Sequence, residues 1–195
     1  LIRVKDSISK KLLKMDDQSK NYLEKLFKDR MDSADTLDKP SMRGVQRTVV
    51  EKYSDQAHFI YELLQNADDA EATKASFDLY EDKLVFKHNG KRHFSVSNPL
   101  TEDEDSKRGT LGDINSITSI ANSNKTEAKI GKFGIGFKAV FQYTSTPIIY
   151  DPNYRFRIER FIVPVIINED YEGRKADETV FIFPFLYQFP GSQWD

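Results

Sequence analysis

Apolar residues recur at helical spacing between Ser9 and Arg30, at Leu12, Leu13, Met15, Tyr22, Leu23, Leu26 and Phe27, and predict an amphipathic helix there. Lys10, Lys11, Lys14, Lys20, Lys25 and Lys28 are interleaved with acids, as on a solvated helix face. Asp35 to Pro40 carries turn residues and reads as a linker. A long second helix is predicted from about Gly44 to Ala70. The period then changes to two. Ala75, Phe77 and Leu79 alternate, Glu81-Asp82 turn, and Leu84 and Phe86 alternate, which predicts a hairpin over Ala72 to Lys87. Ser95 to Gly109 is polar, with the acidic cluster Glu102 to Asp105, and reads as a surface loop. Ile114, Ile117 and Ile120 predict a short helix from Asp113. Ala121 to Lys129 is rich in Ser, Asn and Lys and is the predicted lid. A helix is expected over Phe137 to Tyr143, and strands at Pro147–Tyr150, Tyr154–Ile158, Phe161–Ile167 and Thr179–Phe183. Helices at the front and strands at the back predict an α+β fold, with helices on one face of a mostly antiparallel mixed sheet. Residues 1–40 are then a helical extension and linker, and 41–195 one domain.

Composition narrows the function classes. A chain of 195 residues with 38% hydrophobic and 31% charged residues is long enough for one well-cored domain. Its net charge of −2 gives no global reason to expect a nucleic-acid partner or an anionic membrane. The absence of cysteine excludes disulfides and thiolate chemistry, and suits a cytoplasmic setting. No apolar run approaches the ~20 residues of a membrane span. The first residue is Leu rather than Met, which suggests a piece of a longer protein.

Two stretches carry candidate chemistry. The first is Glu62-Leu-Leu-Gln-Asn66-Ala-Asp-Asp69-Ala70. At about 100° per residue, Asn66 falls about 40° and Asp69 about 20° to either side of Glu62, so the three share one stripe. Ile60, Leu63, Leu64 and Ala67 lie roughly opposite. Asn is a poor interior helix residue because its amide competes for backbone hydrogen bonds. Its carbonyl oxygen can ligate Mg²⁺, which takes most of its shell from water and phosphate. Glu62, one turn away, can polarise an attacking water, an effect worth about 3–5 kcal/mol.

The second stretch is Gly131-Lys132-Phe133-Gly134-Ile135-Gly136-Phe137. Three glycines in six residues let backbone N–H groups approach a phosphate, with a following helix N-terminus favouring negative charge. It is not a Walker loop. Phe137 stands where that pattern needs Lys, and Ala139 offers no hydroxyl. Gly134-Ile-Gly136-Phe-Lys-Ala139 matches the dinucleotide pattern literally, but Thr126 to Lys132 is not the buried strand that pattern requires.

Together the two stretches resemble the GHKL ATPase superfamily, which includes gyrase, MutL mismatch-repair proteins, histidine kinases and heat-shock-ninety chaperones. The wording is most similar to sacsin-like ATP-binding domains, over about Ala57 to Phe185. The resemblance implies a Bergerat fold, a two-layer α/β sandwich with ATP and Mg²⁺ between sheet and helices under a lid. By motif, Glu62 resembles the catalytic base and Asn66 the magnesium ligand, with Asp69 and Ala70 completing that box. Gly131, Lys132, Phe133, Gly134, Ile135, Gly136 and Phe137 resemble the phosphate loop. Asn122 and Ser123 lie where the family's lid begins, and Thr179 resembles the late-strand threonine that helps hold adenine. One box departs. The family's D-x-G-x-G is here His88-Asn89-Gly90-Lys-Arg-His-Phe94, with His88 at the position of the adenine-binding Asp. A neutral His nitrogen can accept a hydrogen bond, but not a charge-assisted one, and Asn89 is an alternative acceptor.

The activity implied is Mg²⁺-dependent ATP binding and hydrolysis, coupled to lid closure and rearrangement of downstream domains or a second copy, in a chaperone-like manner. The alternative is a regulatory module that binds ATP or ADP with little or no hydrolysis, for example in a bacterial defence protein. A histidine kinase is a poor fit, because His58 lies inside the Glu62 helix.

Overall fold

The computed structural model describes residues 15–51, 58–120 and 135–186. The chain folds as α+β: α1 (Asp17–Leu37), α2 (Arg43–Glu51), α3 (His58–Asp69), β1 (Ala75–Leu79), β2 (Lys83–His88), α4 (Glu102–Arg108), α5 (Asp113–Ile117), β3 (Ile148–Tyr150), β4 (Arg155–Glu159), β5 (Val163–Ile166) and β6 (Thr179–Pro184). Short 3₁₀ turns stand at Pro40–Met42 and Pro99–Thr101, and a longer 3₁₀ segment at Ile135–Gln142. The strands form one sheet in the order β1-β2-β6-β3-β4-β5. Every pairing among the described strands is antiparallel, in keeping with the expected mostly antiparallel sheet.

Alternation along the strands sorts the two faces. Leu84, Phe86, Ile149, Phe156, Ile158, Phe181 and Phe183 join Leu63 and Ala67 of α3, Ile114 and Ile117 of α5, and Phe137 and Val140 in one buried cluster. Val85, Val180 and Ile182 lie on the opposite face, with Ile148, Tyr150 and Tyr171 packed against them. The same alternation turns His88 and Thr179, paired in register, toward the helices. Asp151 follows Tyr150, which pairs with Val180, and so falls beside Thr179.

Three elements differ from their predicted form, and a fourth is described in two parts. Asp16 caps α1 by accepting from the Ser19 amide at 2.8 Å, and the helix runs on to Leu37 instead of ending in a linker. Packing overrides turn propensity there, since Ala34 and Leu37 are buried with Phe161, Ile162 and Val163. Leu23 and Leu26 of α1 belong to the main cluster. The single helix expected over Gly44–Ala70 is described as α2 and α3, with 52–57 outside the described residues. The acidic surface loop contains α4. Its four acids occupy the first turn, Lys107 and Arg108 the last, and Gly109 closes it at φ 73°. That charge order suits the helix dipole, and the left-handed residue suits glycine. The helix expected over Phe137–Tyr143 is the 3₁₀ segment. Among the described residues, no helix is long and apolar enough to cross a membrane.

Candidate functional site

α3 and the 3₁₀ segment bring the end of the glycine stretch, residues 135–137, against the first stretch. Leu63 and Ala67 anchor α3 in the core, which leaves Glu62 half-buried on its flank. Phe137 anchors the 3₁₀ segment, its ring 6.3 Å from Phe181 and 6.2 Å from Phe183. These two anchorages set the Gly136 backbone directly against the Glu62 carboxylate. A Cβ at residue 136 would overlap the Glu62 side chain, so glycine is required by close approach. Asn66, one turn along α3, is 5% exposed. Asp69, a further turn on, has its Oδ2 buried and without a hydrogen-bond partner among the described residues. A buried, unpartnered carboxylate oxygen is costly and calls for a reason.

The other end of the site lies where α3 meets β2 and β6. Ala70, His88, Arg92, His93, Asp113 and Thr179 line a cavity of about 10 Å³, room for roughly one water with its walls as they stand. A Cβ on Gly90 would lie 2.6 Å from Ala70 Cβ, so glycine is again needed for close approach. The Gly90 amide donates to His88 Nδ1 at 3.1 Å. Burial, with the nearby His93 and Arg92 adding to it, pushes the His88 pKa down to about 4, so the ring is neutral. The nitrogen that accepts from Gly90 carries no hydrogen, so the hydrogen sits on Nε2. This corrects the expectation of an acceptor at position 88: the nitrogen left over is a donor. Thr179 Oγ1 donates to Asp151 Oδ2 at 2.9 Å, and burial raises the Asp151 pKa. His93 Nδ1 is 3.6 Å from the same oxygen. Asp113 accepts from Arg92 at 2.6 Å and from the Ser95 hydroxyl at 2.7 Å.

The remaining sequence candidates fall differently. The Asn89 amide is engaged elsewhere, accepting from the Thr73 and Lys74 amides at 3.0 and 2.8 Å and so closing the α3–β1 connection. Asn122, Ser123, Gly131, Lys132, Phe133 and Gly134, together with the predicted lid, lie outside the described residues; Ile135 opens the 3₁₀ segment. Asp151, Arg92 and Asp113 were not anticipated. Asp151 had one signal: two residues past buried Ile149, it continues the inward alternation just beyond β3.

The fold and site define an α+β sandwich domain with a polar seam between one helix and the sheet. A model of the Sacsin domain matches residues 40–158, more than half of the chain, and the chain belongs to that family. It is 33% identical to human Sacsin over 128 residues, 55% of this chain and 3% of that protein. It is 28% identical to Protein NO VEIN of Arabidopsis thaliana over 138 residues, 64% of this chain and 4% of that protein. The chain therefore spans only a small fraction of these relatives.

Proposed function

We propose that this domain binds ATP with Mg²⁺ along the seam between α3 and the sheet and hydrolyses it, as a GHKL-type module. The observation that supports this reading is the close approach of Gly136 to Glu62, which would set the candidate base beside the candidate phosphate loop. Asn66 would offer its amide oxygen to the magnesium, whose other ligands would be phosphate oxygens and water. Among the described residues no group of three His, Cys, Asp or Glu converges, so the ion would be held jointly with the nucleotide. The orphaned Asp69 oxygen suits a water in the shell of such an ion. Glu62 would orient and deprotonate the water that attacks the terminal phosphate. Nucleotide state would then bias contacts with downstream domains or a second copy, in a chaperone-like cycle.

A second reading, nucleotide binding with little hydrolysis, is favoured by one observation. The base end is water-sized and lacks an anionic acceptor at residue 88, so affinity rests on the phosphate end. Single-turnover hydrolysis separates the two. Glu62→Ala is expected to keep MgATP binding and lose at least about 100-fold in turnover. Equal turnover in both proteins would remove Glu62 from the chemistry, and binding without turnover in the unaltered chain would favour the regulatory module.

A further inference from the structure

The sheet has two edges, β5 and β1, and they are treated differently. The β5 edge is guarded. α1 packs along it, and Pro164 lies on it. The Ile167 amide donates to the Arg155 carbonyl at 2.9 Å, so odd-numbered residues of β5 bond toward β4 and Pro164 turns its missing N–H outward. The β1 edge, Ala75-Ser-Phe-Asp-Leu79, holds no Pro, Gly or Lys, and among the described residues it pairs with β2 alone. The Tyr80 amide donates to the Lys83 carbonyl at 2.9 Å and the Asn89 amide to the Lys74 carbonyl at 3.2 Å, so even-numbered residues of β1 bond toward β2. The amides and carbonyls of Ala75, Phe77 and Leu79 therefore point outward, and none of the described residues bonds to them.

We propose that the β1 edge is a homodimer interface, where a second copy of the chain pairs antiparallel through its own β1 and joins two six-stranded sheets into one. A two-fold axis at Phe77 uses every outward group. Phe77 then lies opposite itself and Ala75 opposite Leu79, in the hydrogen-bonded parity that both copies present. The side chains fit the same register. Ala75, Phe77 and Leu79 share the helix-facing side, where Phe77 stacks on Phe86 with ring centroids 4.5 Å apart. Leu79, 76% exposed, would cover Ala75 and flank Phe77 of the second copy. Charge selects the direction. β1 is preceded by Lys74, which has no ion-pair partner among the described residues, and runs into Asp78 and the Glu81-Asp82 turn. A two-fold sets that basic start beside the acidic end, with Lys74 diagonal to Asp78, whereas a parallel pairing would set like on like. With β5 guarded, the pairing closes at two copies and does not propagate.

The association needs no nucleotide, so it is tested without one and independently of the ATP reading. Sedimentation equilibrium of the chain is run up to ~1 mM, because so small an interface belongs to the weak class, and amide hydrogen exchange is read residue by residue. The average mass should rise toward twice that of one chain, and exchange at Ala75, Phe77 and Leu79 should slow as concentration rises. Leu79→Lys, at a residue already exposed, should weaken association by at least about tenfold, since two Leu79 contacts are lost per dimer. Lys74→Glu should weaken it as well. A chain that stays monomeric throughout overturns the proposal. So does a dimer that forms as readily in Leu79→Lys, or one that leaves the three amides unchanged, because the contact then lies elsewhere. Protection of those amides in a monomer, at any concentration, would mean that another segment occupies the edge, and overturns it too.

Discussion

Gly136 and Glu62 occupy one another's space so closely that residue 136 has no room for a methyl group. Gly136→Ala is expected to cost roughly 1–3 kcal/mol in denaturant unfolding, by overpacking against Glu62. Gly136→Ala combined with Glu62→Ala should recover much of that loss, because the clash needs both side chains, and a double-mutant cycle reads the coupling. Additive losses would place the strain elsewhere. His88 gives a second residue-scale prediction. Its folded pKa, about 4, lies below its unfolded value of 6.5, so the unfolded chain takes up the proton first as pH falls. The stability His88 contributes is complete above the unfolded value and is lost as pH falls toward the folded one. Relative to His88→Gln, the unaltered chain should lose about 2 kcal/mol between about pH 7.5 and about pH 5. Parallel pH profiles would mean that His88 is not held neutral. The comparison with the variant matters because Asp151, with its pKa raised, works in the opposite direction.

At the scale of elements, buried side chains anchor the 3₁₀ segment to the sheet and to the loop before β5. Phe137 lies against Phe181 and Phe183, and Lys138, fully buried, donates to the Phe161 carbonyl at 2.9 Å. Phe137→Ala should cost about 3–5 kcal/mol and loosen the 3₁₀ segment from the sheet. A loss under 1 kcal/mol would show that the segment is anchored otherwise. Burial pushes the Lys138 pKa down to about 7, from 10.5. Between those values the unfolded chain holds the proton and the folded chain does not, so stability rises with pH across that window. Relative to Lys138→Met, the unaltered chain should gain roughly 1 kcal/mol or more between about pH 7 and about pH 8.5. Strands were legible at this scale because β1 and β2 alternate apolar and polar residues and the later strands are short runs rich in β-branched and aromatic residues. The helical form of residues 102–108 was not, since a run of acids reads as polar surface until the dipole of a following helix is considered. Nor was the reach of α1, where Arg30 bonds both Glu102 oxygens at 2.6 and 2.8 Å and ties α1 to α4. A contact 72 residues away leaves no local pattern.

For the whole molecule, the proposed phosphate end rests on two contiguous motifs, which a sequence displays directly. Membership of the Sacsin domain family bears out the sacsin-like resemblance of those motifs. The base half was only partly legible. His88 and Thr179 stand out in the sequence, but the hydrogen direction at each depends on Gly90 and Asp151, which arrive through a turn and a neighbouring strand. Sequence alone left the His88 nitrogen an acceptor; its packing makes it a donor. The central claim is that the seam at Asn66 and Gly136 holds MgATP, with Glu62 beside it as the proposed base. Calorimetry of the chain with ATP, with and without magnesium, repeated on Asn66→Ala, tests it most directly. The account predicts binding that magnesium tightens in the unaltered chain, and loss of that magnesium dependence in Asn66→Ala. No ATP binding under either condition, or the same magnesium dependence in both proteins, would contradict it.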